Sequence, residues 1–253
     1  MAKASLITGA TSGIGRGVAL ELAARGDLVG VLGRRADRAE AVVREIEASG
    51  GKALAVVADA SEPESVVDAV DRFVAAAGRL DCVVANAGIA IRGTVLDLDI
   101  ADWRRLMAIN LDGVFYTAKY AMPHLIASKG NFTAIASHGG VMGVSHFSSY
   151  SASKFGVVGF VRSIALDHAA EGVRANVVCP GSVYTEMSEK NLAHLSKEEQ
   201  EQLFSTRTPQ GRIGTVQEIA KAVAYLSSDD AGYTNGAVLV IDGGAAAGFT
   251  MHR

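Results

Sequence analysis

A tyrosine and a lysine stand four residues apart in the run Tyr150-Ser151-Ala152-Ser153-Lys154. In a helix this spacing places both side chains on one face. A phenol titrates near ~10 on its own, and a neighbouring ammonium group favours the phenolate and lowers that pKa. We therefore expect Tyr150, assisted by Lys154, to give a proton to a carbonyl oxygen or to remove it in the reverse reaction.

Two more polar residues fit the same chemistry. Ser137 follows the apolar run 132–136, and the carboxyl end of a strand is where α/β sheets place their ligands, so its hydroxyl is expected to donate to the same oxygen. Asn110 lies in a predicted long helix, where Asn is a poor helix former. An Asn there can bend the helix or hold a water that links Lys154 to solvent. Singly, each residue also fits a structural role: a turn serine, a solvated asparagine, a core tyrosine.

A glycine-rich turn, Thr8-Gly9-Ala10-Thr11-Ser12-Gly13-Ile14-Gly15, comes between a short apolar run and a helical segment. Glycine permits backbone angles closed to other residues and lets the main chain approach a ligand. The helix start beyond it offers unpaired N–H groups to phosphate. The turn therefore predicts a site for the pyrophosphate of a dinucleotide.

Two arginines, Arg34 and Arg35, stand about 20 residues further on, where a carboxylate would bind the ribose hydroxyl of NAD. A guanidinium suits a 2′-phosphate instead. This favours NADP as the cofactor. NAD stays open as the alternative, because Asp37 can turn inward and the arginines can simply solvate a helix start.

Short apolar runs alternate with amphipathic segments, which predicts a single Rossmann-type domain over residues 1–253. We expect an α/β, doubly wound fold: a seven-stranded parallel sheet with helices on both faces. The predicted strands are 4–7, 28–32, 53–57, 82–85, 132–136, 175–178 and 238–241, and the predicted helices are 14–25, 38–49, 64–77, 101–127, 151–171 and 216–228. The long insertion 182–212 follows a strand's carboxyl end and is expected to be a substrate lid.

The composition narrows the functional classes. The chain has 253 residues, 49% of them hydrophobic, and a net charge of −3, which gives no footprint for nucleic acid. No apolar run reaches the ~18 residues of a membrane span, and the phosphate turn leaves no room for a signal peptide, so we expect a cytoplasmic protein with no membrane partner. Cys82 and Cys179 are expected to be reduced core thiols, and no metal-ligand spacing is present.

These motifs resemble the short-chain dehydrogenase/reductase family, and the resemblance runs from residue 5 to residue 244. It implies a catalytic tetrad of Asn110, Ser137, Tyr150 and Lys154, and packing into a homotetramer. Ser12 departs from the Lys or Arg that many NADP-dependent members carry there. Cofactor contacts are implied for Gly9, Thr11, Ser12, Gly13, Ile14, Gly15, Arg34, Arg35, Asp59, Ala60, Asn86, Ala87, Gly88, Tyr150, Lys154, Pro180, Gly181, Val183 and Thr185.

The predicted substrate pocket is mostly apolar, with two histidines. Its expected lining is His138, Val141, Met142, His146, Phe147, Tyr184 and Met187. It suits a small-molecule ketone or secondary alcohol. His138 is expected either to touch a polar group of the substrate or to face solvent.

Three competing functions are weighed against this one. The first is a 3-oxoacyl-carrier-protein reductase, although the basic residues that would meet a carrier are scattered among acidic ones; they are Arg92, Lys190, Arg207 and Arg212. The second is a non-catalytic NADP-binding regulatory protein, which the intact tetrad disfavours. The third is a halide-releasing lyase, which Lys154 and the three glycines of the phosphate turn disfavour.

Overall fold

The structure is a computed structural model that describes residues 2–192 and 195–248, without the side chains of Met187, Lys190, Asn191, Glu201, Phe204, Ser205 and Arg207. Seven parallel strands form one sheet in this part of the chain, in the order β3-β2-β1-β4-β5-β6-β7. This confirms the predicted fold class. The strands are β1 (Ala4–Thr8), β2 (Leu28–Gly33), β3 (Lys52–Val57), β4 (Cys82–Ala85), β5 (Asn131–Ile135), β6 (Arg174–Pro180) and β7 (Val238–Ile241).

Helices cover both faces of the sheet, because strands this apolar must be buried on both sides. They are α1 (Gly13–Ala24), α2 (Ala36–Ala48), α3 (Pro63–Ala77), α4 (Ile100–Met107), α5 (Gly113–Ser128), α6 (Ser148–Asp167), α7 (Glu186–Leu192), α8 (Lys197–Arg207) and α9 (Val216–Ser227). Local sequence fixes several ends: Pro63 is in the first turn of α3, Gly78 closes that helix with φ +75°, and Thr215 and Glu218 form a capping box on α9.

Each face of the sheet has its own core. Apolar side chains of α3, α5 and α6 pack on one face around Phe73 and Phe132, and those of α1, α2 and α9 pack on the other around Leu22 and Ile219. Gly17 allows α1 and α9 to approach closely, since a methyl group there would collide with Val216. Among the described residues, no helix has both the length and the apolar character needed to span a bilayer.

The predicted helix 101–127 is three segments in the structure. Between α4 and α5, residues Ala108–Asp112 form a π turn. The wider turn adds one residue to the spiral and brings Asn110 to full burial. The expected bend at Asn110 is therefore a change in helix type.

The chain order of the strands reverses between β1 and β4. In open α/β sheets, ligands bind outside the carboxyl ends of the strands at such a switch point. Gly9 follows β1 and Asn86 follows β4, so the fold brings the predicted phosphate turn to this crevice.

Candidate active site

The glycine turn after β1 has the backbone geometry of a phosphate cradle. Gly9 and Gly13 have φ values of +64° and +51°, which L-residues with side chains rarely adopt. A side chain at Gly15 would collide with the Gly9 carbonyl and with the Asn86 amide. The side chain of Ser12 makes no capping hydrogen bond to α1. The N-terminus of α1 thus keeps its donors for an anion.

Asn86 joins the switch-point strands. Its Nδ2 donates to the carbonyl oxygens of Thr8 at 3.0 Å and Gly9 at 3.1 Å. In return, the Thr8 hydroxyl accepts from the backbone N–H groups of Asn86 and Ala87, at 3.0 and 3.1 Å. These bonds fix the phosphate turn relative to the end of β4.

Two arginines follow β2, as the sequence indicates, and both are exposed. The Arg34 guanidinium lies 3.6 Å from a carboxylate oxygen of Asp59, which follows β3. Partial burial opposes ionisation of that carboxyl group, but hydrogen bonds from Ser61 and the charge of Arg34 lower its pKa overall. A charged Asp59 and an exposed guanidinium therefore face the same end of the crevice.

Tyr150 and Lys154 lie one turn apart on α6. The Lys154 Nζ is 5.8 Å from the centre of the Tyr150 ring and donates to the Ile135 carbonyl at 2.8 Å. Burial lowers the pKa of Lys154 to about 8. Burial also raises the pKa of Tyr150, and the Ser137 hydroxyl only partly offsets this. The expected lowering of the Tyr150 pKa by Lys154 is thus wrong: burial has the largest effect, and Lys154 is not among the groups that shift this pKa.

Ser137 lies two residues after the end of β5 and is buried beside Tyr150. Its Oγ accepts a hydrogen bond from the backbone N–H of Gly139 at 3.0 Å. Because that bond uses a lone pair, the hydroxyl proton stays available. Ser137 can therefore donate to an oxygen that Tyr150 also reaches, as expected of a group that stabilises developing negative charge.

Asn110 acts on the site through the backbone. Its Oδ1 accepts from the Ile89 N–H at 2.8 Å, and its Nδ2 donates to the Ile89 carbonyl at 2.9 Å and to the Ser153 hydroxyl at 3.2 Å. A methyl group on Gly88 would lie 3.3 Å from the Asn110 Oδ1 and 3.5 Å from the Lys154 Nζ. Asn110 therefore clamps the loop after β4 close to Lys154; the water relay expected from the sequence stays a prediction.

One cavity of about 1350 Å³ contains most of the predicted site. All the expected cofactor residues line it except Gly15, which packs behind the turn. Ser137, Tyr150 and Lys154 line it as well, whereas Asn110 lies behind the wall. The cofactor and catalytic predictions thus converge on a single space.

Four expected substrate residues line this cavity, namely His138, Met142, His146 and Phe147. Two do not. Val141 lines a second, smaller cavity beside Asp242, and Tyr184 is 55% exposed outside the main cavity. In both cases the adjacent residue, Met142 or Thr185, lines the main cavity instead. The Met187 side chain lies outside the described ones.

Part of the wall of the main cavity was not predicted from the sequence. Ile89, Ala90 and Arg92 of the loop after β4 line the cavity, as do Leu192, Leu203 and Thr208 of the insertion. Gly93 donates to the His146 carbonyl at 2.8 Å, so the loop after β4 is tied to the segment before α6. The position of residues 89–92 just past a strand's carboxyl end is the signal that would have found them.

The insertion after β6 contains α7 and α8. Glu186 in α7 accepts a hydrogen bond from Arg38 of α2 at 3.1 Å, which connects the insertion to the Arg34 end of the crevice. Residues 193 and 194 lie outside the described part. The lid function expected for 182–212 stays a prediction.

With this geometry in place, the chain compares closely with known proteins. A family model described as enoyl-(acyl carrier protein) reductase matches residues 9–246. Meso-2,3-butanediol dehydrogenase of Serratia marcescens is 38% identical over 97% of this chain and 95% of its own length. Cis-4-hydroxycyclohexanecarboxylate dehydrogenase of Sinomonas cyclohexanicum is 40% identical over 97% of both chains.

Solved structures are similar to this chain as well. The crystal structure of a gluconate 5-dehydrogenase from Burkholderia cenocepacia, in complex with NADP and tartrate, superposes with a TM-score of 0.92. It is 32% identical and covers 98% of this chain and 96% of that one. Fold and site define a dinucleotide-dependent oxidoreductase. The chain belongs to the short-chain dehydrogenase/reductase family.

Proposed function

We propose that this enzyme transfers a hydride between NADP(H) and a small, free ketone or secondary alcohol, with Tyr150 as the general acid and base. One observation carries the proposal: Ser137, Tyr150 and Lys154 line the same cavity as the glycine turn. A proton donor, a hydroxyl donor and a cation thus share one space with a dinucleotide cradle. The glycine geometry and the free start of α1 fit such a cofactor.

The bound cofactor supplies or accepts the hydride at its nicotinamide ring. The chain's own residues handle the oxygen. Ser137 donates to the carbonyl oxygen, since Gly139 already occupies one of its lone pairs. Tyr150 gives that oxygen its proton in reduction, and a raised pKa keeps the phenol protonated for this direction. Lys154, held by the Ile135 carbonyl, supplies positive charge beside the phenol.

Preference for NADP over NAD rests on Arg34 and Arg35. Both line the adenosine end of the cavity, where Gly33 offers no carboxylate. Arg34 is only loosely paired with Asp59, at 3.6 Å, so it is free to turn toward a 2′-phosphate. The NADP bound by the Burkholderia relative supports the same choice. NAD is the alternative, because Asp59 can hold Arg34 in place.

Cofactor preference is tested by comparing the kcat/KM values for NADPH and NADH. Arg34→Ala should weaken NADPH binding about tenfold or more and leave NADH nearly unchanged. Arg38→Ala is the matched control, because Arg38 already pairs with Glu186. A wild-type preference for NADH would overturn the assignment.

A free substrate is favoured over one delivered by a carrier protein. Of the four basic candidates for a carrier surface, Arg212 is paired with Glu218 at 2.6 Å, and the side chains of Lys190 and Arg207 lie outside the described ones. Arg92 lines the cavity. The named activities of the Serratia and Sinomonas relatives also concern small alcohols. Reduction of an acetoacetyl thioester at a higher kcat/KM than any free ketone would favour the carrier alternative.

A homotetramer is the expected assembly. Phe115 on α5 and Phe155 on α6 are 44% and 47% exposed, and Phe115 stacks edge-on against Phe160 at 5.9 Å. Exposed aromatic side chains on two adjacent helices suit burial against symmetry mates. Light scattering that gives a monomer at micromolar concentration would refute this. The apolar tail residues Phe249 and Met251 lie outside the described residues. The expected cytoplasmic location also stays a prediction, which cell fractionation can test.

The function itself is tested by the absorbance change at 340 nm. NADPH and NADH are run against aryl ketones, cyclic ketones, β-keto esters and an acetoacetyl thioester, with Tyr150→Phe as control. Turnover that disappears in the variant supports the proposal. Tight NADPH binding without turnover in either direction would instead support a non-catalytic regulatory protein.

A further inference from the structure

We propose that His138 hydrogen-bonds a second hydroxyl or carbonyl group of the substrate, one that lies next to the reacting carbon. The inference rests on the proposed function and narrows its substrate class to vicinal or 1,3-related diols, hydroxyketones and diketones. His138 would then be a specificity-determining residue rather than part of the proton-transfer machinery.

Among the described residues, the imidazole of His138 has no hydrogen-bond partner. Its Nδ1 is buried. The side chain nevertheless lines the cavity. A buried polar atom without a partner is costly, and native proteins keep such atoms rarely and often for a function. Protein encloses Nδ1, so a substrate group in the cavity would meet the other ring nitrogen, Nε2.

The other polar side chains near the reacting end differ in this respect. Arg92, Ser145 and His146 also line the cavity, but all three are exposed. Water can satisfy them whether or not a ligand is present. His138 is the one of these four side chains that is not exposed, so solvent satisfies its polar atoms less readily.

The protonation state of the ring points to a neutral ligand. Burial lowers the pKa of His138, and the nearby carboxylate of Asp242 only partly opposes this. A neutral imidazole carries one N–H donor and one acceptor nitrogen. A hydroxyl group can use either, and a carbonyl can use the donor. A carboxylate would instead prefer a charged partner.

The position of His138 sets the distance between the two polar groups. His138 begins the 3-10 turn His138–Gly140 directly after Ser137. The Cα atoms of consecutive residues are about 3.8 Å apart. Because Ser137 is assigned to the reacting oxygen, a group that reaches His138 must lie within a few bonds of the reacting carbon. Met142 and Phe147 line the same region with apolar surface for the carbon skeleton.

The test compares cyclohexanol with cis- and trans-1,2-cyclohexanediol, which share a ring and differ by one hydroxyl. The wild-type enzyme should oxidise the better diol with a kcat/KM about tenfold or more above that for cyclohexanol. His138→Leu should bring the ratio of the kcat/KM for the better diol to that for cyclohexanol close to one. His138→Gln, which keeps a donor and an acceptor, should retain part of the preference.

His168→Gln is the matched control. His168 Nδ1 is also buried without a hydrogen bond, although a Glu171 carboxylate oxygen lies 3.7 Å away, and His168 caps the end of α6 away from the cavity. This variant should keep the wild-type preference. The inference is overturned if His138→Leu keeps the preference for the diol, or if its kcat/KM falls equally for the diol and for cyclohexanol.

The ratio of the wild-type kcat/KM values for the diols and cyclohexanol tests the inference even if His138→Leu does not fold. Oxidation of cyclohexanol with no preference for either diol refutes the role of His138 and leaves the proposed function standing. Failure of the wild-type enzyme to turn over any alcohol or ketone, with either cofactor, removes the proposed function and this inference together.

Discussion

The ammonium group of Lys154 points at the backbone, 2.8 Å from the Ile135 carbonyl, while it lies 5.8 Å from the centre of the Tyr150 ring. The carboxyl end of β5 therefore fixes the position of this charge. The same strand end carries Ser137. The proton donor, its neighbouring cation and the hydroxyl donor are thus fixed relative to one another by one helix and one strand.

Tyr150→Phe is expected to reduce kcat by about 10²–10⁴-fold, the usual range for loss of a general acid. The dissociation constant for NADPH should change by no more than about threefold, because the variant keeps the ring and loses only the hydroxyl. Steady-state rates and fluorescence titration measure the two quantities. Ser137→Ala should also lower kcat, since its hydroxyl donates to the same oxygen. A loss below about tenfold in Tyr150→Phe would show that another group carries the proton.

The buried ammonium group of Lys154 lowers the free energy of unfolding at neutral pH. Its pKa falls from 10.5 to about 8 on folding, so the folded state disfavours the charged form by about 3 kcal/mol at pH 7. The unfolded chain holds more protons than the folded one between pH 8 and 10.5. This penalty is therefore full below pH 8 and disappears as the pH rises to 10.5.

Lys154→Met is accordingly expected to lose activity but to gain stability at pH 7. The gain should be below about 3 kcal/mol, since the lost bond to Ile135 offsets about 1 kcal/mol. Urea unfolding at pH 7 and pH 10 measures it, and the gain should shrink at the higher pH. A variant that is less stable than wild type at pH 7 would mean that the ammonium is better solvated than its burial indicates.

Asn110→Ala should destabilise the fold by about 1–3 kcal/mol, because it leaves the N–H and the carbonyl of Ile89 without partners. Activity should fall together with NADPH affinity, as the loop after β4 loosens. Thr117→Ala on α5 is the control: its hydroxyl bonds only to Gly113 of its own helix, at 2.7 Å. Unchanged stability with reduced kcat in Asn110→Ala would instead favour the water relay to Lys154.

Local patterns were enough to predict the sheet and to propose the site around it. The strands are mostly apolar, the phosphate turn and Ser137 come within two residues of a strand's end, and Tyr150 and Lys154 lie at helical spacing. That is why the glycine turn, Ser137, Tyr150 and Lys154 could be placed from sequence on one edge of the sheet.

Long-range contacts could not be predicted in the same way. The π turn at Asn110 depends on bonds to Ile89 and Ser153, which no periodicity reveals. That Met142 rather than Val141 lines the main cavity depends on the path of the chain after the turn His138–Gly140. The pKa of Tyr150 rises because of enclosure by the whole fold, whereas sequence spacing shows only the neighbouring lysine.

Gly33 limits how the cofactor preference can be changed. A side chain there would collide with the Cγ2 atom of Thr11, whereas the Thr11 Cβ lies at an ordinary 3.5 Å from the added carbon. Gly33→Asp alone should therefore weaken binding of NADPH and NADH alike. Adding Thr11→Ala removes the colliding methyl group and leaves a carboxylate at the end of β2, where the ribose of the cofactor is expected.

The double variant Gly33→Asp/Thr11→Ala is accordingly expected to prefer NADH. The carboxylate can accept a hydrogen bond from a ribose hydroxyl and repels a 2′-phosphate, so the ratio of the two dissociation constants should shift by about tenfold or more. Fluorescence titration with both cofactors measures the ratio, with Thr11→Ala alone as the control. Wild-type binding of NADPH by Gly33→Asp alone would contradict this, since it would mean that Thr11 moves aside without cost and that the carboxylate does not reach the ribose.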